Sequence, residues 1–258
     1  VVAAILLAAV SASAQQNVMS ASEKGSFFVL PKVEIRLDAN GDLAMNTYVH
    51  ILNNYPDDVE VLMYYVNGDD PLPADGPEPA HPGWNHIEVR FDLTSRQPLL
   101  WDTNTGGPTG VPFYWLDIFG RPDPDNPGGR MVRGFIVGWA IDADGAQISH
   151  DHLAVNATIV DHADSHAWGY NAYHAQVNTA DPVGTVIGTP GTITFDGTRF
   201  AQPPAAIEFN FVAGAASGPY DAGIGHDTDL SIMAFQLDLR DIGQPATTYL
   251  EYEIWNEN

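Results

Sequence analysis

Cysteine is absent from this 258-residue chain. No disulfide holds the fold, and thiol catalysis, cysteine-ligated zinc and iron–sulfur chemistry are excluded. A domain of this length has enough interior to do without such staples. Lysine is almost absent too, with only Lys24 and Lys32. Lys and Arg total 10 against 33 Asp and Glu, a formal charge of −23. Such a field repels nucleic-acid phosphate and anionic lipid, so neither is an expected partner. Capped helical periodicity is missing, and so is any internal repeat of fixed length. Nucleophile signatures are missing as well. Gly214-Ala215-Ala216-Ser217-Gly218 places its serine one position late for a nucleophile elbow. There is no His-Glu-x-x-His and no Walker loop, and Gly223-x-Gly225 lacks the βαβ setting of a dinucleotide site.

What is present starts at the N-terminus. Val1–Val10 is almost wholly apolar, and Ser11-Ala12-Ser13-Ala14-Gln15 follows. An apolar run closed by an Ala-x-Ala site is the pattern of a secretory leader cleaved after Ala14. We expect 1–14 to be a signal peptide and 15–26 a flexible mature N-terminus. The expected location is extracellular, cell-surface or periplasmic. No later stretch is apolar enough for a membrane helix, so no span is expected in the mature chain. The chain opens without an initiator Met and closes on Glu251–Asn258 in mid-pattern, so further sequence is expected at both ends.

Arg130–Val177 organises the rest. Met131–Ile141 is a short apolar run rich in β-branched and aromatic residues, the pattern of a strand buried on both faces. Asp142-Ala143-Asp144-Gly145 reads as a tight turn. Leu153–Asp161 and His166–Val177 read as two more strands. Upstream, apolar residues alternate around Asn40-Gly41, a strong hairpin signal, so Phe27–Asn53 is expected to be a hairpin. Val59–Tyr65 and Ile87–Leu93 alternate likewise, separated by an expected irregular loop, Asn67–Pro82. Leu99–Trp101 extends the second of these after a turn. Downstream, Thr192–Asp196, Ala205–Val212, Leu230–Leu239 and Thr247–Trp255 are strand candidates, with a β-bulge expected near Met233-Ala234. The fold class is all-β: a mainly antiparallel sandwich of about a dozen strands over 27–258. It forms one domain, or two packed halves divided near residues 103–110.

Three features carry candidate chemistry. Five of the nine histidines fall close together: His150, His152, His162, His166 and His174. Alternation along a strand would put His150 and His152 on one face, where imidazoles could bind a divalent ion such as zinc. The bland alternative is histidines at strand ends. Asp221, Asp227 and Asp229 form an acidic, glycine-rich loop able to hold a divalent cation such as calcium. Asp38–Asp42 and Asp142–Gly145 resemble the first half of a calcium loop, but position 49 is Val and position 153 is Leu where an EF-hand needs Glu. Hairpin turns explain both. Glu34, Glu60 and Glu88 fall on expected wet faces and read as solvated. Finally, Trp84, Trp101, Tyr114 and Trp115 are candidates for a ligand surface, with Trp84 beside Pro82-Gly83 as the leading one.

The strings His81-Pro82-Gly83-Trp84-Asn85, Arg133-Gly134-Phe135, Tyr170-Asn171-Ala172 and Ile254-Trp255-Asn256-Glu257 occur in this order. In them the chain resembles a group of secreted bacterial proteins without an assigned activity. The resemblance implies export and a β fold, and supplies no catalytic residues. The expected function is that of an exported, non-enzymatic binding or structural module, with carbohydrate or cell-surface components as partners. Alternatives are a carbohydrate-binding module, and a metal-binding protein or metal-dependent enzyme built on His150–His174. No cofactor beyond a divalent cation is expected.

Overall fold

The structure, a computed structural model, describes residues 19–204 except 84, 118, 119, 179, 191, 192, 194 and 196. Residues 1–14, Trp84, the Asp221–Asp229 loop, the three strand candidates beyond Ala205 and the expected bulge near Met233 lie outside the described residues.

The described residues form an all-β fold. The strands are β1 (Phe27–Leu37), β2 (Leu43–Asn53), β3 (Val59–Asn67), β4 (His86–Leu93) and β5 (Pro98–Asp102). Then come β6 (Arg121–Pro122), β7 (Arg130–Ile141), β8 (Leu153–Asp161), β9 (His166–Asn171) and β10 (Tyr173–Ala175). A single 3-10 turn, Phe113–Leu116, interrupts them. Every pairing is antiparallel, in the order β4-β3-β7-β1-β2-β8-β9, with β5 on β2, β6 on β7 and β10 on β1. Strands from both sides of residues 103–110 share this sheet, since β1 pairs with β7 and β2 with β8.

The two apolar faces explain the strand sequences. One core gathers Leu30, Ile51, Met63, Phe91, Trp101 and Ile136 among others. A second core, across β1, β3 and β7, gathers Phe27, Leu62, Val137 and Trp139 with Phe195 and Phe200 from the following segment. β7 therefore serves both, as its continuous apolar run predicts. β1 changes phase midway. Phe28 and Leu30 face the first core before Pro31, and Val33 and Ile35 face it afterwards. The register against β7 shifts between Leu30 and Val33. One extra residue keeps the apolar set inward, and it falls where proline has no N–H to donate. Gly138 lets β7 pass the Phe28 ring: a Cβ there would lie 2.4 Å from Phe28 Cζ.

The Phe27–Asn53 hairpin is real only near its turn. β1 and β2 pair at Arg36–Met45 and Leu37–Leu43 and then part. β1 continues along β7 with its N-terminal end also against β10, while β2 continues between β5 and β8. The two strands thus lead into different layers around the first core, which makes the sheet sandwich-like.

Candidate functional site

The tip of the β8–β9 hairpin brings metal-ligating side chains together. Asp161 ends β8 and His166 opens β9, directly opposite each other. Opposed residues share a face, so the carboxylate and the imidazole project to the same side. Between them the chain turns back in four residues. Asp161 Oδ1 accepts the Asp164 N–H at 2.9 Å, which ties the Asp164 backbone back across the turn. Ligand atoms of Asp161, Asp164 and His166 all lie within 4.8 Å of one another. To share an ion about 2.0–2.2 Å from each, these atoms would have to draw in to about 3–3.5 Å of one another. The His166 ring stacks on Trp168, centroids 5.4 Å apart and planes 27° apart. β9 is exposed along almost its whole length, so the tip is open to solvent.

Two carboxylates and one imidazole form a hard-to-borderline donor set. It suits zinc, manganese or nickel better than a soft ion. Three protein ligands leave coordination positions open to water or an external donor.

The five histidines occupy separate places. His150 and His152 sit in the turn before β8, not on a strand, because β8 begins at Leu153. Their rings are 5.5 Å apart at 73°, with Tyr55 packed on both. His150 is buried, and its Nε2 is 3.0 Å from Asn53 Oδ1. His174, also buried, accepts the Val155 N–H on Nε2 at 3.1 Å. Burial pushes both imidazoles down, each to about 4. His162 is exposed, and its backbone N–H donates to Ala44. No three imidazoles converge among the described residues; His166 finds carboxylates instead.

Sequence reasoning missed a buried ionic cluster. The Asn67–Pro82 segment is a surface loop, exposed over most of its length, and bridges Leu72–His81 and Asp75–Glu78 fold it on itself. His81 is buried, with Nδ1 2.8 Å from Asp117 Oδ1 and Nε2 2.8 Å from Glu78 Oε1. Arg130 pairs with Glu78. Arg121, also buried, lies 3.3 Å from Asp69 and 3.8 Å from Asp117. Arg133 reaches Asp69 at 2.6 Å. Both ring nitrogens of His81 face carboxylates, so both are engaged within the cluster. The cluster holds the loop against β6 and β7. Glu34 is a smaller correction: it is buried and paired with Arg36, not solvated. No local pattern announces the cluster, because most of its partners come from separate segments of the chain.

The acidic turns use their carboxylates on their own backbone. Asp38 Oδ1 accepts N–H groups from Asn40 and Asp42, and Asp142 Oδ1 accepts those of Asp144 and Ala146. Of the aromatic candidates, Trp101 is fully buried and packs on Tyr65 and Phe91, so its ring is core. Tyr114 packs against the same core, while Trp115 is 55% exposed.

No protein-family model and no curated protein matches the chain. Among solved structures, one described as "Crystal Structure of Thermotoga maritima 1070" superposes with a TM-score of 0.36 at 9% identity. The match covers 58% of this chain and 95% of that one. Likeness at that level bears on neither the fold nor the function of this chain.

Proposed function

We propose that this chain is an exported, non-enzymatic β-sandwich that binds a divalent metal ion at the β8–β9 hairpin tip. One observation carries the proposal: ligand atoms of Asp161, Asp164 and His166 lie within 4.8 Å of one another. Export is supported by the leader-like start and by the resemblance to secreted bacterial proteins. A formal charge of −23 concentrates cations near the surface. The open coordination positions make the site a point of attachment, where an ion on the protein could grip a donor from a cell-surface component.

Equilibrium dialysis against zinc with elemental analysis tests this. The expected result is one tightly held ion per chain, weakened about tenfold or more in His166→Ala and in Asp161→Asn. Loss of the ion from neither variant, or no ion held by the parent chain, contradicts it.

A second reading, a carbohydrate-binding surface, is favoured by Trp115 alone among the described candidates, because its ring is 55% exposed. Exposed indole offers a flat face for a sugar ring. A glycan array on which the parent chain binds and Trp115→Ala does not would support it; equal binding would remove it.

A further inference from the structure

A cleft of about 420 Å³ lies beside His150, its wall including Tyr55, Asp57, Asp58, Glu60, Ala143 and His150. It is a place distinct from the hairpin tip, and its size falls in the small-ligand range of about 300–1,000 Å³. The chemistry of His150 is set by Asn53. Asn53 Nδ2 donates to Asp57 O at 2.8 Å, and Asn53 Oδ1 accepts the Tyr55 N–H at 3.0 Å. These two bonds fix which end of the amide is oxygen. The Oδ1 atom facing His150 Nε2 can only accept, so Nε2 carries the ring hydrogen. Burial and the neighbouring His152 keep the ring neutral at ordinary pH. The remaining nitrogen, Nδ1, is then a lone-pair acceptor.

That acceptor belongs to a side chain only 1% exposed, and no described residue donates to it. His150 lines the cleft, so a lone pair without a protein donor there is open to a ligand that brings an N–H. The cleft wall specifies the rest. Its named charged residues are all acidic. Glu60 is paired with Arg90 at 2.9 Å, and Asp58 accepts the Ser95 N–H at 2.8 Å. The Asp57 carboxylate has no partner among the described residues and is exposed. Tyr55 adds an aromatic ring, packed edge-on against His150 at 5.5 Å. Acceptor, uncompensated carboxylate and ring together ask for a cation with N–H groups.

We propose that this cleft binds a small organic ammonium ion, donating an N–H to His150 Nδ1 with Asp57 as its counter-charge. The ligand class is a primary amine or diamine. Calorimetric titration of the full chain with 1,4-diaminobutane tests it, with tetramethylammonium as a comparison that carries the charge but no N–H. Saturable binding of the diamine is expected, with tetramethylammonium weaker by about tenfold or more. His150→Phe should weaken the diamine about tenfold, and Asp57→Asn, an exposed change that leaves the fold intact, several-fold. Asp164→Asn at the hairpin tip should leave diamine binding unchanged. Equal binding of the two cations would mean that only the acidic surface attracts them, and would overturn the proposal. So would the absence of saturable diamine binding, or an Asp57→Asn variant that binds like the parent.

Discussion

At the scale of single residues, buried histidines couple this fold to pH. His150 and His174 have folded-state pKa values near 4, below the ordinary value of 6.5. As pH falls, the unfolded chain takes up these protons first. Their contribution is therefore full above about 6.5 and lost between there and about 4, on the order of 3 kcal/mol for each ring. Urea unfolding at pH 7 and pH 5 should show a clear loss of stability at the lower pH; equal midpoints would contradict the assignment. Gly138 is the other sensitive position. Its missing Cβ is the space filled by the Phe28 ring, so Gly138→Ala should cost about 1–3 kcal/mol through overpacking. An unchanged melting temperature would mean that the Phe28 ring does not sit there.

At the scale of elements, the segment between β3 and β4 is held by charge more than by apolar contact. Asp117 stands between His81 and Arg121, both buried. Asp117→Ala would take one of two carboxylates from each of those groups, leaving His81 with Glu78 and Arg121 with Asp69. The expected cost is about 1–3 kcal/mol, with cleavage by protease appearing first between Gly68 and Asn85. Cleavage elsewhere first would mean that the cluster does not hold this loop. Most strands were legible, although the stretch expected as one strand, His166–Val177, breaks at Ala172 into β9 on β8 and β10 on β1. Leu153–Asp161 is bounded in the sequence as in the structure, because alternation and turn residues are local signals. The hairpin tip was legible in part: once Asp161 closes one strand and His166 opens the next, the pair must face each other. His166 was legible as a candidate ligand, but Asp161 and Asp164 were not, because nothing local marks either carboxylate as its partner. The parting of β1 from β2 was not legible, since β10 takes the β2-side edge of β1 at Phe27–Val29 while β5 takes the β1-side edge of β2. The ionic cluster was not legible either, as Asp69, His81, Asp117 and Arg133 meet only in the folded chain.

At the scale of the whole molecule, 33 acidic residues against 10 basic ones make self-repulsion a standing cost. Salt screens it, with a Debye length of about 10 Å at 0.1 M. The melting temperature should rise on going from low salt to moderate sodium chloride, before any specific ion is added. A fall would show that the surface pairs, such as Arg90–Glu60, outweigh the repulsion. Divalent ions should add a further, saturable increment through the hairpin tip, because an ion bound only to the folded state stabilises it. The most direct measurement is X-ray absorption at the zinc edge of the loaded chain. A first shell dominated by oxygen at about 2.0–2.2 Å, with the signature of a single imidazole, is the result predicted by Asp161, Asp164 and His166. A shell of two or more imidazoles, or a chain that retains no zinc to measure, would contradict it.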